Sequence, residues 1–172
     1  MATILAVDDS ALVLQFLEDA LRRAGHVLVP VADAARVAEE FAARRPDLLI
    51  LDFQMPRETG VEVYARLRLL PRGAQLPVIF LSGTASCVLD SFVPASPLVR
   101  FLEKPIQATQ LLVAVSEALG LPAPPDVAAL AARDRELEAA GLKLRRLNPV
   151  ASGRAEELLP GRLPTPFPGS GW

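Results

Sequence analysis

Five short apolar runs, each followed by a segment of helical periodicity, occupy residues 1–119 and limit the folds open to this chain. Short apolar runs are typical of strands buried on both faces, and their alternation with helices favours one parallel sheet. Right-handed crossovers would place helices on both faces of that sheet. The sequence therefore predicts an α/β fold, a (βα)5 doubly wound five-stranded parallel sheet. The predicted strands are residues 3–7, 27–31, 47–51, 77–81 and 98–102.

The segments between these runs have the periodicity of amphipathic helices. In the first segment, Leu14, Leu17 and Leu21 fall on a single helical face. Gly25 and Gly120 follow two of the segments, at the position where a helix commonly ends on a glycine. The predicted helices are residues 11–24, 34–43, 61–70, 85–92 and 107–119.

A change in composition after Gly120 sets the predicted domain boundary. Residues 1–120 form the predicted domain, and residues 121–125 form a proline-rich linker. Residues 126–148 are rich in helix-forming side chains, which predicts one further helix. Prolines and glycines then accumulate over residues 149–172, a composition that predicts a disordered tail.

The overall charge and the single cysteine narrow the class of protein. A formal net charge of −2 provides no general attraction for nucleic acid or for an anionic membrane. The N-terminus lacks the basic start of a signal peptide, and no run reaches the roughly 20 apolar residues of a membrane span. Because Cys87 is alone, no intramolecular disulfide can form. We therefore expect a cytoplasmic protein that binds neither DNA nor membranes.

The chemically useful side chains are concentrated just after the predicted strands. Asp8 and Asp9 end the first strand, and Asp52 ends the third. Ser82 ends the fourth strand and Lys104 the fifth. In a doubly wound sheet, ligands bind beyond the carboxyl ends of the strands. We therefore expect these five side chains to meet in one crevice.

This set of side chains points to phosphoryl chemistry. Three carboxylates repel one another, each pair by about 4 kcal/mol at about 4 Å for an effective dielectric near 20, so the site favours a cation. Mg²⁺ prefers oxygen ligands and also coordinates phosphate oxygens. Asp52 could then attack phosphorus as a nucleophile and form an aspartyl phosphate. Lys104 and the Ser82 hydroxyl would stabilise the phosphoryl oxygens.

Four short motifs form a joint pattern that is more specific than any one of them. They are Asp8-Asp9, Asp52-Phe53-Gln54-Met55-Pro56, Ser82-Gly83 and Lys104-Pro105. With these motifs the sequence resembles the receiver domains of two-component response regulators, over residues 3 to about 119. The resemblance implies a flavodoxin-like, chemotaxis-regulator-like fold of the single-domain type, here with a C-terminal tail.

The resemblance also implies a role for each acidic residue. Asp52 would be the phosphoacceptor, supplied by a sensor histidine kinase or a phosphotransfer protein. Mg²⁺ would be bound by Asp9, by Asp52 and by the backbone carbonyl of Gln54, with Asp8 acting through a water molecule. Lys104 would pair with Asp52 or with its phosphate. Such a domain is a signalling module rather than an enzyme, since it catalyses only its own phosphorylation and dephosphorylation.

Two further residues are assigned to the switch by the same resemblance. Ser82 would move toward the phosphoryl group on activation. Phe101 lies three residues before Lys104, where the family places a switch aromatic; lacking a hydroxyl, it would act by packing alone. A cis peptide is implied before Pro105. The readout would be contact with a downstream effector protein, and a dimer could form through the face of the fourth and fifth predicted helices or through the C-terminal helix.

Three other functions are weighed against this hypothesis. A pseudo-receiver scaffold would bind partners without phosphorylation, but it has no need for three mutually repelling carboxylates. A DNA-binding regulator needs at least two packed helices, and only one is predicted after Gly120. A phosphatase of the dehalogenase type requires a second Asp two residues after the nucleophile, where this chain has Gln54.

Overall fold

A computed structural model describes residues 1–83, 93, 96–122 and 132. The predicted helix 85–92 and the predicted disordered tail lie outside the described residues. Apart from Ala132, the predicted helix 126–148 also lies outside them.

All five predicted strands are present in one sheet. They are β1 (Thr3–Val7), β2 (Val27–Val31), β3 (Leu48–Asp52), β4 (Val78–Ser82) and β5 (Val99–Glu103). Every neighbouring pair is parallel, and the strand order is β2-β1-β3-β4-β5. The last three strands lie one residue later than predicted, because the ladder continues into polar residues such as Asp52, which pairs with Leu81. The fold class is thus confirmed.

Four helices flank the sheet in the part of the chain that the structure describes. They are α1 (Ala11–Arg23), α2 (Val37–Arg44), α3 (Gly60–Arg68) and α4 (Ala108–Ala118). The segment predicted as a helix from residue 34 begins instead with a 3-10 turn, where the Asp33 side chain accepts a hydrogen bond from Ala35 N at 3.1 Å. In this same part of the chain, no helix has the length and apolar character needed to cross a bilayer.

The helices cover both faces of the sheet, as predicted. Side chains alternate along the strands, so Ile4 packs with α1 and α4, whereas Leu5 packs with α2 and α3. All five residues of β3 are buried, which explains its continuous apolar sequence. The leucines predicted to share one face of α1, including Leu17 and Leu21, are buried against the sheet.

The strand order creates a crevice at the carboxyl edge between β1 and β3. The chain passes from β1 outward to β2 and then returns to the other side of β1, so the connections diverge at this point. A reversal of this kind is where doubly wound sheets bind ligands. Val7 pairs with Leu51 in the ladder. The next residues, Asp8 and Asp52, are therefore placed side by side at the crevice.

Candidate functional site

The structure brings the predicted acidic residues and the lysine together at this edge. Asp8, Asp9 and Asp52 each offer a carboxylate oxygen, and the three oxygens lie within 4.8 Å of one another. Lys104 Nζ lies 2.9 Å from Asp8 Oδ2 and 3.0 Å from Asp52 Oδ1. Residues from three different strand ends thus form one charged cluster.

The three carboxylates differ in their burial. Asp8 is fully buried and Asp52 is 3% exposed, whereas Asp9 is exposed to solvent. The second oxygen of Asp8, Oδ1, accepts a hydrogen bond from Ser10 N at 2.8 Å. Asp8 is therefore held from both sides, and Asp9 is the acid that faces outward.

Ser82 and Gln54 lie beside this cluster. Ser82 is the last residue of β4 and is buried, and its carbonyl accepts a hydrogen bond from Lys104 N at 2.7 Å. The Lys104–Pro105 peptide bond is cis, as the family resemblance implies. Gln54 is exposed, and its backbone N lies 3.5 Å from Asp52 Oδ1. The five strand-end residues and Gln54 therefore belong to one region of the molecule.

Burial controls the ionisation of Asp8 and Asp52. Loss of hydration raises the pKa of Asp52 to about 7, although the nearby Lys104 ammonium acts in the opposite direction. Burial also raises the pKa of Asp8. For Lys104, burial alone would lower the pKa, but the carboxylates of Asp52 and Asp8 outweigh that effect and raise it. One ammonium group shared by two buried carboxylates leaves the cluster with excess negative charge.

One buried oxygen in this cluster has unused bonding capacity. Asp52 Oδ2 is buried and has no hydrogen-bond partner among the residues that the structure describes. A buried carboxylate oxygen without a partner is costly. An all-oxygen donor set with excess negative charge fits a hard divalent cation such as Mg²⁺. The residues present are therefore suited to holding Mg²⁺ beside Asp52.

A glycine packs directly against the backbone of Asp52. A Cβ built on Gly60 would lie 2.3 Å from the Asp52 carbonyl oxygen, and Gly60 N donates to the Phe53 carbonyl at 3.0 Å. The loop after β3 thus closes tightly against the end of that strand. A capping box formed by Thr59 and Glu62 then begins α3. Gly60 is thus a close-packing residue at the end of β3.

Substitution of Gly60 by alanine is expected to destabilise the protein by about 2 kcal/mol, because the new methyl group forces the backbone around Asp52 to move. Urea unfolding measures this change in the free energy of unfolding. Gly25→Ala is the control: its φ is +79° but it has open space around the Cβ position, so only about 1 kcal/mol of backbone strain is expected there. Equal losses for the two variants would contradict the packing argument.

Aromatic side chains extend from the acidic cluster toward β5. Phe53 follows Asp52 directly and contacts Phe80 edge-on, with ring centroids 6.2 Å apart. Phe80 in turn stacks on Phe101 at 5.5 Å. Ring contacts therefore connect the predicted switch residue Phe101 to Phe53, the residue next to the phosphoacceptor candidate Asp52. The switching role of Phe101 stays a prediction.

Sequence reasoning missed one contact of the site. It paired Lys104 with Asp52 and gave Asp8 a water-mediated role, whereas Lys104 also bonds Asp8 directly. The two residues are 96 positions apart, and only the register of β1, β3, β4 and β5 brings them together. The sequence shows that a lysine follows β5, but it does not show which carboxylates this lysine contacts.

Comparisons with known proteins agree with this geometry. The family model for the response regulator receiver domain matches residues 4–116. The chemotaxis protein CheY of Bacillus subtilis is 28% identical over 117 residues, covering 67% of this chain and 96% of that protein. The response regulator MprA of Mycobacterium leprae is 33% identical over 125 residues, covering 73% of this chain but only 54% of the relative.

Solved structures show the same fold. The chemotaxis protein CheY4 of Vibrio cholerae is 28% identical, with a TM-score of 0.63, and the match covers 69% of this chain and 99% of that one. The response regulator TrrA of Thermotoga maritima, solved in complex with Mg²⁺ and BeF, has a TM-score of 0.60 over 69% of this chain and 100% of its own. At 24% identity, the second match supports the fold alone.

Proposed function

The chain belongs to the family of response regulator receiver domains, and from this we propose that Asp52 accepts a phosphoryl group from a histidine kinase and so controls a signalling switch. The proposal rests on the burial and the contacts of the Asp52 carboxylate. Its carboxylate is buried, its Oδ2 has no partner among the residues described, and it shares Lys104 with Asp8.

The proposed transfer assigns the reaction to the chain's own side chains. Asp52 Oδ2 forms the new bond to phosphorus, while the bond from phosphorus to the donor's leaving atom breaks. Lys104 lies 3.0 Å from the other carboxylate oxygen, where its ammonium group can offset charge on the phosphoryl oxygens. Asp8 fixes the position of Nζ through its 2.9 Å contact. Ser82 ends the adjacent strand, and its hydroxyl would donate a hydrogen bond to a phosphoryl oxygen.

Mg²⁺ is the cofactor that we propose for this site. The residues that would hold it are Asp9, Asp52 and the Gln54 carbonyl, with Asp8 acting through water. The exposure of Asp9 and Gln54 supports this arrangement, because a cation that keeps some of its water needs an open side. When bound, Mg²⁺ supplies charge neutralisation for the carboxylates and for the incoming phosphoryl oxygens.

The proposed readout is a change in protein–protein contacts. Ser82 would respond to the phosphoryl group, and Phe101 would respond through its packing on Phe80. A sensor histidine kinase or a phosphotransfer protein is the proposed donor, and a downstream effector protein is the proposed reader. The alternative of a pseudo-receiver scaffold is disfavoured because the full acidic set and Lys104 are present and in contact.

The test is incubation of the full chain with acetyl phosphate, with and without Mg²⁺. We expect the intact mass to increase by one phosphoryl group when Mg²⁺ is present, and the linkage to be stable in mild acid and labile in base. An excess of EDTA should suppress the reaction, because charge neutralisation at the acids is lost. Absence of labelling under all conditions would favour the scaffold, and labelling unaffected by EDTA would contradict the role of Mg²⁺.

A further inference from the structure

A cavity lies at the amino edge of the sheet, at the end of the strands away from the acidic cluster. Its volume is about 620 Å³, within the range of about 300–1,000 Å³ that is common for small-molecule sites. α2 contributes Phe41 to its lining, and the connection from α3 to β4 contributes Leu70 and Leu76. Asp47 and Pro77, which directly precede β3 and β4, also line it. We name this feature the amino-edge cavity.

Two arginines line the amino-edge cavity from separate segments. Arg45 follows the end of α2, and Arg72 lies in the connection from α3 to β4. Both residues are exposed, and neither guanidinium group bonds another residue in the described part of the chain. Nearby arginines differ, because Arg44 pairs with an acid of α2 and Arg68 donates to the Leu76 carbonyl at 2.7 Å. The cavity therefore has two guanidinium groups available for a ligand.

The backbone at these two arginines is unusual. φ is +49° at Arg45 and +69° at Arg72, and within the described ranges no other non-glycine residue has a positive φ. This left-handed conformation suits glycine and is tolerated by asparagine, whereas a longer side chain is disfavoured by its Cβ. A cation near the end of α2 favours the helix dipole, but Arg44 in the last turn already supplies that charge. Strained residues of this kind cluster at binding sites, and both of these line one cavity.

The amino-edge cavity combines positive charge with an apolar surface. Among the described residues that line it, Asp47 is the one acid, and its Oδ2 accepts a hydrogen bond from Thr3 N at 2.8 Å. Two guanidinium groups therefore face one carboxylate, while Phe41, Leu70 and Leu76 offer apolar contact. Guanidinium groups bind carboxylates and phosphates with paired hydrogen bonds. The complementary ligand has an anionic head group and an apolar body.

We propose that the amino-edge cavity binds a small organic anion, a carboxylate or a phosphate attached to an apolar body. Arg45 and Arg72 bind the head group, and the side chains around Phe41 contact the body. The volume of the cavity suits a small molecule. The proposal does not depend on phosphorylation of Asp52, which lies at the opposite end of β3.

Titration of the full chain with 8-anilinonaphthalene-1-sulfonate (ANS), followed by its fluorescence, tests the proposal. The sulfonate of ANS stands in for the anionic head group, and its rings stand in for the apolar body. Arg45→Asn with Arg72→Asn is expected to weaken binding at least about tenfold, because both head-group contacts are lost. Arg23→Asn with Arg57→Asn is the matched control, since it removes the same two charges from exposed positions outside the cavity. This control should bind ANS with wild-type affinity.

The melting temperature separates lost ligand contacts from damage to the fold. Asparagine tolerates the left-handed conformation, so Arg45→Asn and Arg72→Asn should each raise the melting temperature, by about 3 °C. The same double variant is thus expected to be more stable and to bind less. N-phenyl-1-naphthylamine, the neutral analogue of ANS, should bind the wild type at least about tenfold more weakly than ANS. Equal affinity for the two dyes would overturn the role of the arginines.

A second variant places a carboxylate in the cavity and leaves both arginines intact. Ala42 is exposed on α2 and lines the cavity, and Ala42→Glu should weaken ANS binding about tenfold. Ala43→Glu is the matched control, because Ala43 is exposed on the same helix but does not line the cavity. Wild-type affinity in both Ala42→Glu and the double arginine variant would overturn the proposal.

Competition against ANS distinguishes the two kinds of head group. Octanoate carries a carboxylate and octyl phosphate a phosphate, and displacement by either one supports the proposal and identifies the preferred group. Inorganic phosphate, which lacks the apolar body, should displace ANS at least about tenfold less well. Displacement by neither octyl compound, or the absence of ANS binding up to about 1 mM, would overturn the proposal.

Discussion

Asp52→Asn is expected to abolish phosphoryl incorporation from acetyl phosphate and Mg²⁺ while the protein stays folded. An amide oxygen is a poor nucleophile, and the amide removes one of the charges that would attract a cation. Intact-mass measurement after incubation with the phosphodonor reads the result directly. No other carboxylate in the cluster combines burial with an oxygen that has no partner in the described part of the chain.

The loss of labelling should not come from unfolding. Burial raises the pKa of Asp52 to about 7, so the folded protein already tolerates its ionised form poorly, and a neutral amide removes that penalty. The melting temperature of Asp52→Asn is expected to equal or exceed that of the wild type. Asp47→Asn is the matched control: Asp47 lies just before β3, is exposed, and should leave labelling unchanged. Labelling that survives in Asp52→Asn would remove Asp52 from the mechanism.

Lys104→Met is expected to cost about 3 kcal/mol of unfolding free energy near neutral pH, because it leaves the buried carboxylates of Asp8 and Asp52 without their counter-ion. Denaturant unfolding measures the loss. Arg22→Met is the matched control, since its pair with Asp19 is exposed on both sides and should contribute less than about 1 kcal/mol. Similar losses in the two variants would contradict the assigned role of Lys104.

The loss of unfolding free energy in Lys104→Met is expected to depend on pH. Without Lys104, only the backbone amides of Ser10 and Gln54 oppose the effect of burial, which raises the pKa of both Asp8 and Asp52. Carboxyls with a raised folded pKa stabilise the protein at low pH and lose that contribution as the pH rises through the folded value. The defect of Lys104→Met should therefore shrink as the pH falls from about 7 toward 4. In an Asp52→Asn background the substitution should also cost less.

The architecture could be predicted from the sequence because its signals are local. Short apolar runs and amphipathic segments define the strands and helices, and strand ends place Asp52, Ser82 and Lys104 at one edge. The family pattern supplied the role of each residue. Two features could not be predicted, because they depend on the register of strands that are distant in sequence. Asp8 is buried whereas Asp9 is exposed, and Asp8 contacts Lys104 directly.

The two carboxylate oxygens of Asp8 connect the site to the start of α1. Asp8 contacts Lys104 through one oxygen and the Ser10 amide through the other, and α1 begins at the next residue, Ala11. Any covalent change at Asp52 alters the electric field at Nζ and, with it, the strength of the lysine's contact with Asp8. The contacts of Lys104 and Asp8 therefore provide a route from the charge at Asp52 to the residue before the first turn of α1.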